Sequence, residues 1–133
     1  MKDGATVTAS ARRASLVGGS AAFAVIRGDA SVITWGEGRD GGNSSRVQHL
    51  LKDVQTIIGN SSSFAALLGD KSVVVWGNVA DGGDSSKVQS QLNDVTSIIS
   101  ANSAFAAILS DGHVVTWGQA ENGGDSSSVQ ALL

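Results

Sequence analysis

The last twenty residues of the chain, VVTWGQAENGGDSSSVQALL (114–133), are the third copy of a pattern that occurs twice before. The earlier copies are VVVWGNVADGGDSSKVQSQL (73–92) and VITWGEGRDGGNSSRVQHL (32–50). When the copies are aligned on Trp35, Trp76 and Trp117, successive repeats start 41 residues apart, and the second and third are identical at 22 of 41 positions. A fixed period of this length is typical of an architecture built from stacked repeats.

The aligned repeats span residues 10–50, 51–91 and 92–132, and residues 1–9 form an N-terminal extension to a single repeat domain. The third repeat contains three short runs rich in β-branched or apolar residues. These runs are DVTSII (94–99), AFAAIL (104–109) and HVVTWG (113–118). Each run has the composition and length of a β-strand, so one repeat predicts three strands.

Between the second and third strands, Asp111-Gly112 is a strong signal for a tight hairpin turn. The other repeats have Gly69-Asp70 and Gly28-Asp29 near this place. Glycine in the first position favours a different turn type. We therefore expect the hairpin register to differ slightly between repeats.

A glycine pair follows the tryptophan strand and leads into an N-cap residue, which is Asn43, Asp84 or Asp125 in the three copies. The segment that follows the first glycine pair has apolar residues at helical spacing, namely Val47, Leu50, Leu51 and Val54. This pattern predicts a helix of about two turns. The fold class is therefore mainly β with short helices, in three tandem units of a three-stranded antiparallel sheet and a short helix.

The repeat resembles the RCC1-like (regulator of chromosome condensation) repeat family, in which an A-L strand, a DG turn and a V..WG strand recur around a β-propeller. The residues that carry the resemblance are Val95, Ile98, Ala107, Leu109, Asp111-Gly112, Val114-Val115 and Trp117-Gly118. The repeats here are shorter than is usual in that family. In this they are similar to repeats of dinoflagellate algal proteins, a resemblance that implies a photosynthetic or organellar setting such as the plastid.

The family usually has seven propeller blades, whereas this chain offers three units, so it cannot close such a ring alone. An open propeller-like arc, a short solenoid and a ring completed by other chains remain as alternatives. At the start of the stack, Arg13 stands where later repeats have Val54 and Val95, which predicts a polar cap. At the other end, Leu132 and Leu133 are predicted to stay uncapped and available for association.

Composition excludes several classes of function. The chain has no cysteine, so disulfides, thiolate metal sites and cysteine nucleophiles are absent. Its net charge is −3 and its basic residues are scattered, which argues against a nucleic-acid binder. No apolar run is long enough for a membrane helix, and the N-terminal segment lacks the apolar stretch of a signal peptide.

No catalytic residue, cofactor or metal ligand is predicted. The Gly-Gly-Asp segments at 82–84 and 123–125 could hold phosphate or Ca²⁺, but a turn with an N-cap explains them better because the first copy has Asn43. His49 and His113 occupy different repeat positions and are expected to face solvent. The tryptophans are expected to pack in the core, each against a phenylalanine, rather than to form a ladder for a ligand.

The residues between Trp-Gly and Gly-Gly differ in every copy, and varied loops on a constant scaffold are where binding usually occurs. Together with the C-terminal leucines they are the candidate partner contacts: Glu37, Arg39, Asp40, Asn78, Asp81, Gln119, Glu121, Asn122, Leu132 and Leu133.

The favoured function is a non-catalytic protein–protein interaction or scaffold module, in the form of an accessory subunit that docks on a larger assembly. The resemblance implies an alternative, a regulator of a small GTPase. An enzyme of unrecognised type is a third hypothesis. A fourth is self-association through the uncapped C-terminal end, in which case Arg12 and Arg13 would enter the seam between copies.

Overall fold

A computed structural model describes residues 13–133, which form nine strands in three separate three-stranded antiparallel sheets. The first sheet contains β1 (Ser15–Gly18), β2 (Ala22–Ile26) and β3 (Val32–Gly36). The second contains β4 (Val54–Gly59), β5 (Ser63–Leu68) and β6 (Val73–Gly77). The third contains β7 (Val95–Ser100), β8 (Ala104–Leu109) and β9 (Val114–Gly118).

Each sheet is one repeat, and its middle strand is always the second in sequence. The prediction of a mainly β fold made of three tandem three-stranded units is therefore confirmed. The strand predicted at 104–109 has the observed bounds, and the other two differ by one residue at their ends. No helix in the part of the chain from residue 13 onward is long and apolar enough to cross a membrane.

The three hairpins use the same turn, so the predicted difference in register is wrong. In each, a residue at the end of the middle strand or directly after it donates its N–H to the carbonyl four residues on. The bonds run from Arg27 to Ser31 at 2.8 Å, from Leu68 to Ser72 at 3.0 Å and from Leu109 to His113 at 2.9 Å. The residue before that acceptor has a positive φ, at Ala30, Lys71 and Gly112. This is the three-residue loop in which a left-handed residue follows the turn. The feature that the repeats share is the preceding aspartate, not the glycine.

The predicted two-turn helix is instead a single 3₁₀ turn, at Gln48–Leu50, Gln89–Gln91 and Gln130–Leu132. Its backbone bonds run from residue i+3 to residue i, as from Leu51 N–H to the Gln48 carbonyl at 3.2 Å. Leu51 is then buried between sheets, and Asp53 turns the chain with a φ of 54° before β4 begins. The segment is therefore too short to continue as an α-helix.

The sheets stack face to face. Because alternate residues of a strand point to opposite faces, one strand can contribute side chains to the cores on both sides of its sheet. Phe64 and Ala66 of β5 join the core between the first and second sheets, whereas Ala65 and Leu67 join the core between the second and third. The middle sheet is thus covered on both faces. This explains why β5 is apolar from Phe64 to Leu68 rather than alternating.

Within residues 13–133 both ends of the stack are open, so the described outer face of the first sheet does not form the predicted polar cap by itself. Arg13 is exposed, as a cap residue would be, but the rest of the outer face of the first sheet is apolar. Its exposed residues are Leu16, Phe23, Ile33 and Trp35. Residues 10–12, which belong to the predicted cap, lie outside the described part of the chain. The last sheet exposes Ile99 and Ile108 on its outer face.

Candidate protein-interaction surface

The residues between Trp-Gly and Gly-Gly form a row along one edge of the stack. In each repeat this segment makes a second 3₁₀ turn, at Gly38–Asp40, Val79–Asp81 and Ala120–Asn122. It lies at the end of the third strand opposite the hairpin turn and is bonded to the loop between the first two strands, as from Gln119 N–H to the Ser103 carbonyl at 2.8 Å. We call residues 37–42, 78–83 and 119–124 the loop edge, and the turns at 27–31, 68–72 and 109–113 the hairpin edge.

Residues common to all repeats hold the loop edge in place. The glycine of Trp-Gly has a φ of 110° at Gly77, and a Cβ there would lie 2.7 Å from the Ser62 carbonyl oxygen, so only glycine fits. Further along, the first serine and the glutamine of the SS.VQ motif fasten the chain back to the strand. Ser44 Oγ donates to Gln48 Oε1 at 2.9 Å, and Gln48 Nε2 donates to the Val32 carbonyl at 3.0 Å. The other two repeats have the same pair of bonds.

Five of the predicted contact residues project from this frame into solvent: Glu37, Arg39, Gln119, Glu121 and Asn122. Asp40, Asn78 and Asp81 are only partly exposed. The Asn78 side chain accepts a bond from Ala80 N–H at 3.0 Å and caps its own turn. Asp81 accepts from Ser62 Oγ at 2.5 Å through its carboxylate and from Ser63 Oγ at 2.9 Å through its carbonyl. In the second repeat these two residues therefore stabilise the loop itself.

Two equivalent grooves run between neighbouring repeats beside the loop edge, and the sequence alone did not reveal them. The first has a volume of about 680 Å³, and its charged residues are Arg39, Arg46 and Asp84. The second has a volume of about 480 Å³ and carries Asp84, Lys87 and Asp125. The lining residues of the two grooves are related by the 41-residue period. The 41-residue period was the sequence signal from which the grooves could have been predicted, since a stack that repeats its residues also repeats the spaces between them.

The Gly-Gly-Asp segments form turns, as the sequence indicated. The predicted N-cap role of Asn43, Asp84 and Asp125 is wrong, because the N-caps of the observed 3₁₀ turns lie four residues later, at Val47, Val88 and Val129. Asp84 Oδ1 accepts from Ser86 N–H at 2.9 Å and Asp125 Oδ1 from Ser127 N–H at 2.9 Å. These backbone bonds favour the charged form and lower the pKa of both carboxyl groups. Within residues 13–133, no three His, Cys, Asp or Glu side chains come together as a metal site would require.

The hairpin edge carries a second row of aspartates, which bond within their own turns. Asp29 and Asp70 each accept from the side chain and the N–H of the serine two residues on, which lowers the pKa of both carboxyl groups. Asp111 accepts from His113 N–H, and this bond is the largest cause of its lowered pKa. His113 Nδ1 lies 2.9 Å from Asp111 Oδ2 with both side chains more than half exposed, and His49 is also exposed.

The tryptophans all stack on a phenylalanine of their own sheet, but only two are buried. Trp76 and Trp117 have 4% of their surface exposed, as a core position predicts. Trp35 is 46% exposed, so the prediction of a core position is wrong for the first repeat. The residue is in the expected place within its sheet, and no described sheet lies against it.

The two C-terminal leucines are exposed but do not belong to the loop edge. Leu132 is 84% exposed, and its counterparts in the other repeats, Gln91 and Leu50, are also exposed. Leu133 is 47% exposed, yet its counterparts Leu92 and Leu51 are buried between sheets at 1% and 3%. Leu133 therefore occupies a junction position, whereas Leu132 occupies a surface position.

Two solved structures share this arrangement of sheets, although no family model and no curated protein matches the sequence. Prp20p from Saccharomyces cerevisiae, described with its binding properties to Gsp1p and histones, matches with a TM-score of 0.53 and 17% identity over 78% of this chain. Human WBSCR16 matches with a TM-score of 0.53 and 17% identity over 81% of this chain. The chain spans 30% of the first protein and 33% of the second.

A likeness at this level of identity concerns the fold. The fold is RCC1-like, as the repeated Trp-Gly pattern indicated. Its three units are stacked as an open arc of repeats.

Proposed function

We propose that this chain is a non-catalytic protein-interaction module that binds a partner protein through the loop edge. The observation that carries the proposal is the contrast between frame and loops. The Trp-Gly, Gly-Gly and SS.VQ residues are the same in each repeat, while the residues that project between them differ. A row of different side chains on a fixed spacing can match one particular partner surface.

The two grooves support a protein partner more than a small ligand. They are open, they lie between the projecting loops, and each carries both acidic and basic side chains on its rim. Mixed charge at a rim gives orientation and specificity to a protein contact. The first groove has two arginines and one aspartate among its lining residues, so we propose that an acidic segment of the partner docks there.

Within this function, we propose an accessory subunit that docks on a larger assembly. The support is the apolar surface at both ends of the described stack, since such patches are typical of surfaces that another protein covers. A photosynthetic or organellar complex of the plastid is the setting that the sequence resemblance implies.

A second candidate function is regulation of a small GTPase. The observation in its favour is the shared fold with Prp20p, whose description includes binding to Gsp1p. The chain spans 30% of that protein, so this function requires that three repeats suffice for the contact.

The test uses a matched pair of charge reversals in the first repeat. Arg39 and Arg27 are both exposed arginines, but Arg39 lies on the loop edge and Arg27 on the hairpin edge. A photo-crosslinking residue placed at either site would capture partners from an extract of cells that express the protein. The partner captured at site 39 is then purified, and its affinity is measured for the wild type, Arg39→Glu and Arg27→Glu.

We expect Arg39→Glu to weaken binding by about tenfold or more, because reversal of a contact charge introduces repulsion, and Arg27→Glu to leave it unchanged. Binding through the loop edge would be contradicted if both variants lost affinity for the partner equally, or if neither variant lost affinity. For the second candidate, nucleotide release from purified Gsp1p is followed with and without the chain. Acceleration that Arg39→Glu abolishes would support the GTPase role.

A further inference from the structure

The two ends of the stack are the two halves of one interface that already occurs twice inside the molecule. We call the outer face of the first sheet the head, formed by Leu16, Phe23, Ile33 and Trp35. We call the outer face of the third sheet the tail, formed by Ile99, Ala106, Ile108, Val129 and Leu133. Inside the molecule, a surface of the head type meets a surface of the tail type at both junctions between sheets.

Each internal junction inserts a phenylalanine–tryptophan pair against a glycine of the preceding repeat. A Cβ on Gly41 would lie 2.5 Å from the Phe64 ring, and one on Gly82 would lie 2.7 Å from the Phe105 ring. At the tail, nothing lies within 4 Å of the corresponding place on Gly123. Gly41 and Gly82 are buried, whereas Gly123 is exposed with the same left-handed backbone. The tail therefore presents the same socket without an occupant.

The equivalent aromatic pair at the head, Phe23 and Trp35, is not covered by any neighbouring sheet in the described part of the chain. Phe23 and Trp35 have ring centroids 5.5 Å apart and an interplanar angle of 28°, and the pair of the second repeat has 5.4 Å and 28°. The pair thus has its junction geometry already formed. Phe23 is 44% exposed, compared with 0% for Phe64.

The polar bonds of the two junctions also correspond. The indole N–H of Trp76 donates to the Gly41 carbonyl at 3.1 Å, and that of Trp117 to the Gly82 carbonyl at 3.1 Å. No described residue accepts a hydrogen bond from the indole N–H of Trp35. If a head packed against a tail, the Gly123 carbonyl would be the corresponding acceptor. Ser61 N–H donates to the Asn102 carbonyl at 3.2 Å, so by the same period Asn102 N–H would meet the Ser20 carbonyl.

The apolar residues of the tail match those that line the second junction. Ile58, Ala65, Leu67, Val88 and Leu92 belong to the core between the second and third sheets. Their counterparts 41 residues on are the five tail residues: Ile99, Ala106, Ile108, Val129 and Leu133. All five counterparts are apolar, so the tail keeps the composition of a buried junction.

Among residues 13–133, Arg13 is the charged departure on the head, in place of Val54 and Val95. Val95 N–H donates to the Lys71 carbonyl at 3.0 Å, so Arg13 would lie beside the corresponding turn of the tail, at Gly112. That turn replaces the lysine by glycine and keeps the carboxylate of Asp111. The arginine would therefore face a turn whose aspartate is not offset by a lysine, as Asp70 is offset by Lys71 in the second repeat.

We propose that two copies of this chain associate head to tail, with Phe23 and Trp35 of one copy packed on Gly123 and the tail of the other. The contact is heterologous, so it leaves one head and one tail free and either closes into a ring or extends. Gly123 is the one loop-edge residue named in this contact, and the side chains that project from the loop edge, such as Arg39 and Glu121, take no part in it, so the proposal does not depend on binding of a partner through those side chains. Failure of either leaves the other untouched.

The decisive experiment mixes two variants, each with one end disabled. Phe23→Glu puts a charge at the centre of the head, and Ile108→Glu puts one at the centre of the tail. Masses are measured by light scattering after size exclusion and by native mass spectrometry, with one variant isotopically labelled. We expect the wild type to associate with increasing concentration, each variant alone to be monomeric, and the equimolar mixture to form a one-to-one heterodimer.

The heterodimer joins the intact tail of Phe23→Glu to the intact head of Ile108→Glu. Its formation therefore also shows that both variants are folded. A wild type that stays monomeric at every concentration overturns the proposal. A homodimer of Ile108→Glu alone also overturns it, because that outcome requires a head-to-head contact.

A second pair of variants tests the register of the contact. Leu133→Glu changes a junction position and is expected to weaken association at least tenfold, whereas Leu132→Glu changes a surface position and is expected to have no effect. Equal effects of the two would overturn the predicted register. In the wild type, association should also protect Trp35 from acrylamide and shift its fluorescence emission to shorter wavelength.

Discussion

The middle repeat and the first repeat contain the same aromatic pair in two different environments. Phe64 and Trp76 stack with their centroids 5.4 Å apart and are 0% and 4% exposed. Phe23 and Trp35 stack at 5.5 Å and are 44% and 46% exposed. The geometry of the pair is therefore a property of its own hairpin, because the two residues are opposite each other on adjacent strands. Burial is a property of the neighbouring repeat.

The largest expected difference comes from removing one ring in each environment. Phe64→Ala leaves a cavity in the core and is expected to lower the free energy of unfolding by about 3–5 kcal/mol. Phe23→Ala removes mainly the contact with Trp35 and is expected to lower it by about 1 kcal/mol. Urea unfolding of dilute protein, followed by circular dichroism, measures both. Losses of equal size would show that the exposed pair is as well packed as the buried one.

Two glycines with the same backbone separate the effect of a junction from that of a turn. Gly123→Ala adds a methyl group into open space at a φ of 101°, and the left-handed strain alone is expected to cost about 1 kcal/mol. Gly41→Ala adds the same strain at a φ of 104° and a clash with the Phe64 ring, for which we expect about 1–3 kcal/mol more. Unfolding midpoints of the two variants in dilute protein give the comparison. Equal unfolding midpoints for the two variants would show that the contact between Gly41 and the Phe64 ring has room for a methyl group.

The hairpin turns provide a smaller effect that should not depend on position in the stack. The same left-handed position holds Gly112 in the third repeat and Lys71 in the second, with a φ of 91° and 68°. We expect Gly112→Ala to destabilise the protein by about 1 kcal/mol and Lys71→Gly to stabilise it by about 0.5–1 kcal/mol. Thermal unfolding measures both changes. A loss of stability in Lys71→Gly would show that the lysine side chain contributes more than the strain removes.

The smallest effect concerns acid stability at the hairpin edge. The pKa of Asp29, Asp70 and Asp111 is lower in the folded chain because their charged forms accept hydrogen bonds within the turns. Their contribution to stability is complete above the unfolded pKa of about 3.9 and is lost as the pH falls through the lower folded pKa values. Asparagine keeps the acceptor oxygen but does not titrate there.

Unfolding by urea between about pH 5 and pH 2 therefore separates wild type from Asn variants. We expect each of Asp29→Asn, Asp70→Asn and Asp111→Asn to reduce the dependence on pH by a similar small amount, since all three carboxylates are exposed. A much larger change at Asp70 would mean that burial in the middle repeat extends to the hairpin edge.

Much of the candidate site followed from the sequence, because its frame is local. The loop edge was predicted from the variation between Trp-Gly and Gly-Gly, and Glu37, Arg39 and Glu121 are exposed there as expected. The internal roles of Asn78 and Asp81 were not predicted. Asp81 is held by serines about twenty residues away, which the repeat pattern does not contain, since the first repeat has Ala21 and Ala22 at those positions.

Two of the interpretations went astray for one reason, which is that a periodic pattern was interpreted without its neighbours. The segment from Val47 to Val54 has helical spacing, but Leu51 and Val54 are apolar because they are buried between sheets. The first repeat was predicted to be a polar cap from Arg13, although the outer face of its sheet also carries the apolar residues Leu16, Phe23, Ile33 and Trp35. Both interpretations relied on residues that matter for the fold, but they did not consider the neighbouring sheet against which those residues pack.

The sequence by itself determined the period, the three strands of each repeat and the aromatic pair, because these depend on contacts between residues less than about one repeat apart. Only the tertiary structure decided which faces are buried, where the grooves lie and that the head and the tail correspond to the two sides of an internal junction. Those properties depend on how one sheet stacks on the next. A single repeat specifies both of its faces, but burial requires a second sheet with the matching face.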